Sequence, residues 1–373
     1  MPAARPASTP RSEAPEAGRG VLPARAARSL EDLVSAAALQ AADLSGPRGA
    51  GLREVAARFA IAVTPQVLAN MQSADPEHDP IARQYLPSER ELEITPQEIA
   101  DPIGDEAHSP VKGVVHRYPD RVLLKLLHTC PVYCRFCFRR EMVGPGGEAL
   151  SGGELAAALS YIAAQSSIRE VILSGGDPLM LAPRRLTEIM RSLETIDHVG
   201  VVRLHSRVPV ADSSRITPEL IAALRSGRLA VWLAVHCNHP RELTQAALLA
   251  LRQLADAGIP LLSQTVLLRG VNDDAAILEA LFRALVQARV KPYYLHHGDL
   301  ARGTGHFRVG LARGQALMRS LRGRVSGLCQ PTYVLDIPGG HGKAPVGPCY
   351  ADIGDGQAEV EDWQGRRHSY RDG

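Results

Sequence analysis

From Arg121 onward, apolar runs of strand length alternate with amphipathic stretches. The runs fall at Arg121–Leu127, Glu170–Leu173, Val201–Leu204, Ala230–Val235, Pro260–Leu267 and Val290–Leu295, each of the length of a buried strand. The stretches between them carry helix start and stop signals. Ser151-Gly152-Gly153-Glu154 reads as a capping box, and Thr217-Pro218 followed by Gly227 as a start and a stop. Such repeats predict an α/β fold with a parallel sheet and right-handed crossovers. Six repeats are too few for an eight-fold barrel, which leaves a partial barrel or an open doubly wound sheet.

The segment before this core has a different rhythm. Ser29 can cap a helix through Leu30-Glu31-Asp32-Leu33-Val34, and Thr64-Pro65 opens another. Prolines at 76, 80, 87, 96, 102 and 110 then mark an irregular passage. The expected divisions are an extension at 1–28, a helical region at 29–115, the α/β core at 116–298 and a C-terminal segment at 299–373. The extension is rich in Ala, Pro, Arg and Ser and lacks the apolar core of a secretory signal, so it is expected to be disordered.

Polar residues gather where the strands end. Cys130 follows the first run, Gly175-Gly176-Asp177 the second, His205-Ser206-Arg207 the third and His236-Cys237-Asn238-His239 the fourth; Gln264 lies within the fifth, and His296-His297-Gly298-Asp299 follows the sixth. Parallel α/β folds bind ligands at the carboxyl ends of their strands, so this rim reads as one active site.

Composition narrows the picture. Hydrophobic residues make up 45% and charged residues 22%, a soluble globular balance. No apolar run approaches the roughly 18 residues of a membrane helix. With a net charge of +2 and scattered basic residues, neither a nucleic-acid footprint nor a membrane-binding stripe is present. Of six cysteines, three crowd together and Cys237, Cys329 and Cys349 stand apart. Clustered thiols without an export signal point to a cytoplasmic protein with a metal site; the isolated three read as small core residues.

Cys130, Cys134 and Cys137 have the spacing C-x3-C-x2-C. Three thiolates in so short a loop suit three corners of a four-iron cluster and leave the fourth iron open. A zinc site would need a fourth Cys or His; His128 stands just before the cluster, and no second paired C-x-x-C follows. With Ser174-Gly175-Gly176-Asp177 after the second strand, the chain resembles the radical S-adenosylmethionine superfamily. That resemblance implies a partial (β/α)6 TIM-like barrel. It implies a [4Fe-4S] cluster on the three cysteines, and S-adenosylmethionine bound by Ser174, Gly175, Gly176, Asp177, His236 and Gln264. It also implies an external reductant such as flavodoxin or ferredoxin. Glycines admit a ligand close to the backbone, and an aspartate accepts from an ammonium.

Near the C-terminus, Pro338-Gly339-Gly340-His341-Gly342-Lys343 invites a phosphate-loop reading. It fails, because Ile337 stands at the required first glycine and Ala344 follows the lysine. The segment instead resembles the PGGGGK motif of lysine 2,3-aminomutases, with His341 in place of a glycine. The likeness extends over about residues 75–350, through Ser109-Pro110-Val111, His116–Arg121, Val266–Asp273 and Gly305–Arg308. It implies that Lys343 forms the Schiff base with pyridoxal 5′-phosphate in a C-terminal segment. It further implies that Arg139 pairs with the substrate carboxylate and that Asp299 and Asp336 hold a distal ammonium, which favours L-lysine. By the same resemblance a 5′-deoxyadenosyl radical takes hydrogen from the β-carbon and the amino group migrates to give β-lysine.

Longer family members carry C-terminal zinc cysteines; here the tail after Tyr350 has none and Asp274 stands where a partner cysteine is expected. The resemblance thus implies a homo-oligomer without structural zinc. Alternatives from the sequence are a shorter relative acting for elongation factor P, an aminomutase for another amino acid, and a non-catalytic iron–sulfur electron-transfer protein.

Overall fold

The computed structural model describes residues 24–73, 75–144 and 149–371; the greater part of the expected N-terminal extension lies outside them. Residues 24–28 do not stand apart, since Ala27 is buried and bridges to Val63.

Short helices lead in: α1 (Leu30–Ser35), α2 (Gly46–Arg58), α3 (Pro65–Asn70) and α4 (Pro80–Tyr85). The expected caps are in place, with Ser29 and Asp32 forming a reciprocal capping box and the Thr64 side chain accepting from Val67 N. Asp79 likewise caps α4 within the proline-marked passage. These helices share a hydrophobic cluster with Val132 of the cysteine loop.

Nine strands then form one sheet in chain order: β1 (Val114–Tyr118), β2 (Arg121–Leu127), β3 (Glu170–Gly175), β4 (Val201–Ser206), β5 (Ala230–His236), β6 (Leu261–Val266), β7 (Val290–His296), β8 (Thr332–Asp336) and β9 (Lys343–Pro345). β2 through β8 are parallel, while β1 and β9 pair antiparallel at the two edges. Strictly sequential order settles the alternative left open by periodicity, because a doubly wound sheet reverses its order at a switch point. This is a curled half-barrel.

Helices α5 (Gly152–Ala164), α6 (Pro183–Glu194), α7 (Val208–Ala211), α8 (Pro218–Leu224), α9 (Gln245–Asp256), α10 (Ala275–Gln287) and α11 (Leu311–Leu321) return the chain between strands. Leu155, Leu186, Leu251, Leu278 and Leu317 from them pack into one continuous core with the outer faces of the strands. Ser151 caps α5 as expected. Helix α8 stops at Leu224, short of the expected glycine stop; Gly227 N instead donates to Glu194 Oε1 at 3.1 Å. Asp274 caps α10 through Ala276 N and Ile277 N.

The sheet runs past residue 298, so the C-terminal segment supplies its last two strands. A separate antiparallel meander follows, β10 (Ala351–Gly354), β11 (Gln357–Glu361) and β12 (Arg367–Arg371). It is tied to α11 by Arg319, which bonds Glu361, and to the turn after that helix by Trp363 lying over Gly323. Cys237 and Cys329 are core residues, but Cys349 is exposed at the start of this meander, against expectation. Among the described residues no helix is long and apolar enough to cross a membrane.

Candidate active site

The concave side of the half-barrel encloses a cavity of about 650 Å³, and every site residue expected from the sequence lines it: Cys130, Cys134, Cys137, Arg139, Ser174, Gly175, Gly176, Asp177, His236, Gln264, Asp299, Asp336 and Lys343. Strand alternation explains the convergence. Every second residue points inward, and the register aligns His236 with Gln264, Gln264 with Tyr294 and Tyr294 with Thr332.

The cysteines occupy the loop after β2. Burial raises all three thiols, Cys134 up to about 12, so a thiolate here needs a metal to stabilise it. Among the described residues, no three His, Cys, Asp or Glu side chains converge on a single-ion site. The loop is clamped from behind. Glu91, fully buried, accepts from Arg135 Nε at 3.0 Å and from Arg140, and Arg135 Nη1 donates to Ala60 O at 2.9 Å.

Ser174–Asp177 sit beside that loop. Gly175 has φ +105° and a Cβ there would lie 2.5 Å from Leu127 O; at Gly176 it would lie 2.3 Å from Thr129 O. The glycines therefore let two protein loops meet. Asp177 is likewise committed within the protein: its carboxylate accepts from Ser206 Oγ at 2.8 Å, Arg207 N at 2.7 Å, Leu179 N at 3.0 Å and Val208 N at 3.2 Å. It ties the ends of β3 and β4 together. Burial raises its pKa above the usual carboxylate value even so.

The cavity also gathers residues beyond those singled out as ligands. His205 lies with its ring centroid 6.0 Å from that of His236, and Gln264 Nε2 is 3.4 Å from His205 Nε2. Burial pulls His236 down to about 3 and His205 well below its ordinary value, so both rings are neutral. Arg207 donates to Tyr85 Oη at 2.6 Å and Glu242 Oε2 at 3.0 Å beside the cysteine loop. Arg117, Tyr118, Arg121, Arg203, Tyr294 and His296 also line the cavity. The available signal was polar alternation within apolar strands, as in Arg203-Leu204-His205 and Tyr294-Leu295-His296.

At the far end, Lys343 Nζ donates to both oxygens of Asp336, at 2.6 and 2.7 Å, while its backbone N donates to Tyr118 Oη at 2.7 Å. Burial alone would raise Asp336, but His296 and Lys343 hold it well below the carboxylate range. Asp299 differs. Among the described residues its Oδ1 is buried without a hydrogen-bond partner, and burial together with the Asp336 charge raises it to about 7. Arg139 Nε donates to Asp105 Oδ2 at 2.9 Å. His341 is exposed on the glycine loop.

Comparison with known proteins bears on this geometry. Residues 124–281 match the model of the radical SAM superfamily. An L-lysine 2,3-aminomutase of Clostridium subterminale is 42% identical over 80% of this chain and 72% of its own; one from Acetoanaerobium sticklandii is 43% identical over the same shares. The chain belongs to the lysine 2,3-aminomutase family. It is thus a radical S-adenosylmethionine aminomutase, an isomerase, and membership implies a [4Fe-4S] cluster and S-adenosylmethionine. A glutamate 2,3-aminomutase of Clostridioides difficile is also similar, 36% identical over 84% of this chain and 74% of its own, so membership of the aminomutase family leaves the amino acid open.

Proposed function

We propose that the protein is an L-lysine 2,3-aminomutase that moves the amino group of lysine from the α- to the β-carbon. The observation that carries the substrate is the carboxylate pair at the end of the cavity. Asp336 holds an ammonium, that of Lys343, and among the described residues Asp299 Oδ1 has no hydrogen-bond partner. Two buried carboxylates call for a cation, since an unpaired buried charge is costly. A glutamate side chain would bring a third negative charge to the same corner.

The donor sets fit the groups that family membership implies. Cys130, Cys134 and Cys137 would hold the cluster, and Ser174, Gly175, Gly176, Asp177, His236 and Gln264 border the adjoining space for S-adenosylmethionine. For pyridoxal phosphate, Lys343 offers the amine, and Arg117 Nε, buried without an acceptor, offers a donor toward an anion. When bound, these groups supply a carbon radical and a π-system for nitrogen migration.

The protein's own share is positional. Arg139 receives the substrate carboxylate. Once the Lys343 nitrogen is engaged elsewhere, Asp336 is left without its cation, and the distal ammonium of lysine restores it between Asp336 and Asp299. The neutral His205 and His236 place no charge beside the reacting carbons. Glu91, Arg135 and Arg140 hold the cysteine loop still, and residues 299–373 bring Asp299, Asp336 and Lys343 to the sheet's open edge.

The test is an anaerobic assay of cluster-loaded protein with pyridoxal phosphate, S-adenosylmethionine and a one-electron reductant, offering L-lysine and L-glutamate in parallel. β-Lysine detected by mass spectrometry, and lost in Cys134→Ala and Lys343→Ala, supports the proposal. β-Glutamate without β-lysine overturns the substrate.

A further inference from the structure

Arg139 is held from behind. Its Nε and Nη2 both lie 2.9 Å from Asp105 Oδ2, and both side chains are nearly sequestered from solvent, at 9% and 2% exposure. Two other cations face the same carboxylate, Arg117 Nη2 at 3.4 Å and Lys125 Nζ at 3.7 Å. Burial pushes Asp105 up, but Arg139, Lys125 and Arg117 bring it below the usual carboxylate value. Asp105 therefore stands ionised among cations, and a guanidinium gripped at two nitrogens keeps further N–H donors for the cavity it lines.

The turn that carries Asp105 is stiff and touches a second part of the site. Asp101 accepts from Asp105 N at 2.9 Å and Glu106 N at 2.8 Å, and Ser109 Oγ donates to Asp105 O at 2.7 Å. On its other side, His108 Nε2 lies 3.0 Å from Gly340 O. Gly104, at φ +67°, is so close that a Cβ would come within 2.7 Å of Gly340. One turn thus abuts both the guanidinium and the loop that ends in Lys343.

We propose that Asp105 is a positioning residue for amino-acid recognition: it aims Arg139 at the α-carboxylate, and its turn sets the separation between Arg139 and Lys343. This rests on the reading of Arg139 and Lys343 given under Proposed function. The side chain reaches the substrate through Arg139, so its loss is felt by ligands that have a carboxylate and spared by those that do not.

The experiment uses holoenzyme with cluster and pyridoxal phosphate, and titrates it with L-lysine and with 1,5-diaminopentane, which is lysine without its carboxylate. Binding of either amine is read from the change in cofactor absorbance, in wild type, Asp105→Asn, Arg139→Gln and the double variant. Asp105→Asn is expected to raise the Kd for lysine about tenfold or more and to leave that for diaminopentane within about twofold. The double variant is expected to bind lysine no worse than Arg139→Gln alone. Equal weakening of both amines, or multiplying effects of the two substitutions on lysine, overturns the proposal. Should Asp105→Asn fail to fold, Asp105→Glu is read by the same two amines, with the same supporting and overturning outcomes. If neither amine perturbs the wild-type absorbance, the pyridoxal phosphate reading itself fails.

Discussion

Asp299→Asn tests the cation subsite where the electrostatics are steepest. Burial and the neighbouring Asp336 raise Asp299 from 3.8 to about 7, about three units at roughly 1.4 kcal/mol each. The effective dielectric of a protein interior is well above that of a dry one, which brings this to about 2–4 kcal/mol. A carboxyl whose pKa is higher in the folded chain binds a proton on folding. The native state therefore loses stability as pH rises from about 4 to about 7, and no more above that. Asparagine carries no charge, so the variant is expected to melt a few degrees above wild type at pH 8 and level with it at pH 4. Activity moves the other way: kcat/KM for lysine falls about a hundredfold or more, because the ammonium loses a buried partner. In wild type the KM for lysine should fall as pH rises through 7, and this slope should vanish in the variant. The assays are differential scanning calorimetry of apoprotein from pH 4 to 8 and initial rates of β-lysine formation. A melting difference that does not grow with pH, or undiminished lysine turnover, refutes the reasoning.

Lys343→Ala leaves Asp336 without its cation. The apoprotein is expected to lose about 1–3 kcal/mol at neutral pH, with loss of the pyridoxal phosphate absorbance, as urea titration and spectroscopy would show. Because Lys343 and His296 hold Asp336 low, that loss is full above pH 4 and fades only in strong acid, as Asp336 takes up its proton. Gly176→Ala drives a Cβ to 2.3 Å from Thr129 O and should displace the cysteine loop, lowering bound iron per chain in a colorimetric assay. Glu91→Ala strands Arg135 and Arg140 in the interior and should destabilise by about 3–5 kcal/mol; melting measurements would show it.

How much was legible follows from how local each signal is. The six strands from β2 to β7 were found almost to their ends because each is a short buried run between punctuated helices. Ser29, Thr64 and Ser151 gave helix starts because a cap acts within three residues. The cavity residues on motifs were found, since Cys130, Gly175 and Lys343 sit in contiguous patterns. His205 was legible only as part of the polar rim, and Arg203 not at all, because a polar residue within an apolar run resembles a surface position. β9 was unreadable, being three residues that pair only because the glycine loop doubles back onto β8. The meander from β10 to β12 is mostly exposed, so its alternation lacks the apolar contrast that marks a buried strand. The close approach at Gly176 was not legible for a related reason: the atom it avoids, Thr129 O, belongs to another loop.

The charges show the same limit and explain the site's economy. Arg139 and Asp105 are 34 residues apart and meet only because the turn before β1 folds across the half-barrel. Lys343 reaches Asp336 because β9 pairs with β8. Within the chain alone, then, the guanidinium already has a carboxylate and one aspartate already has an ammonium. Under the proposed function, binding lysine would exchange an internal ammonium for an external one at Asp336 and add a carboxylate to the open side of Arg139, so little new charge would be buried without a partner. Asp299 is the exception, raised and with one buried oxygen unpartnered. A ligand without a distal cation would leave Asp299 so and would also leave Asp336 without the ammonium that Lys343 gives up, so discrimination against uncharged side chains of similar length should reside at both carboxylates.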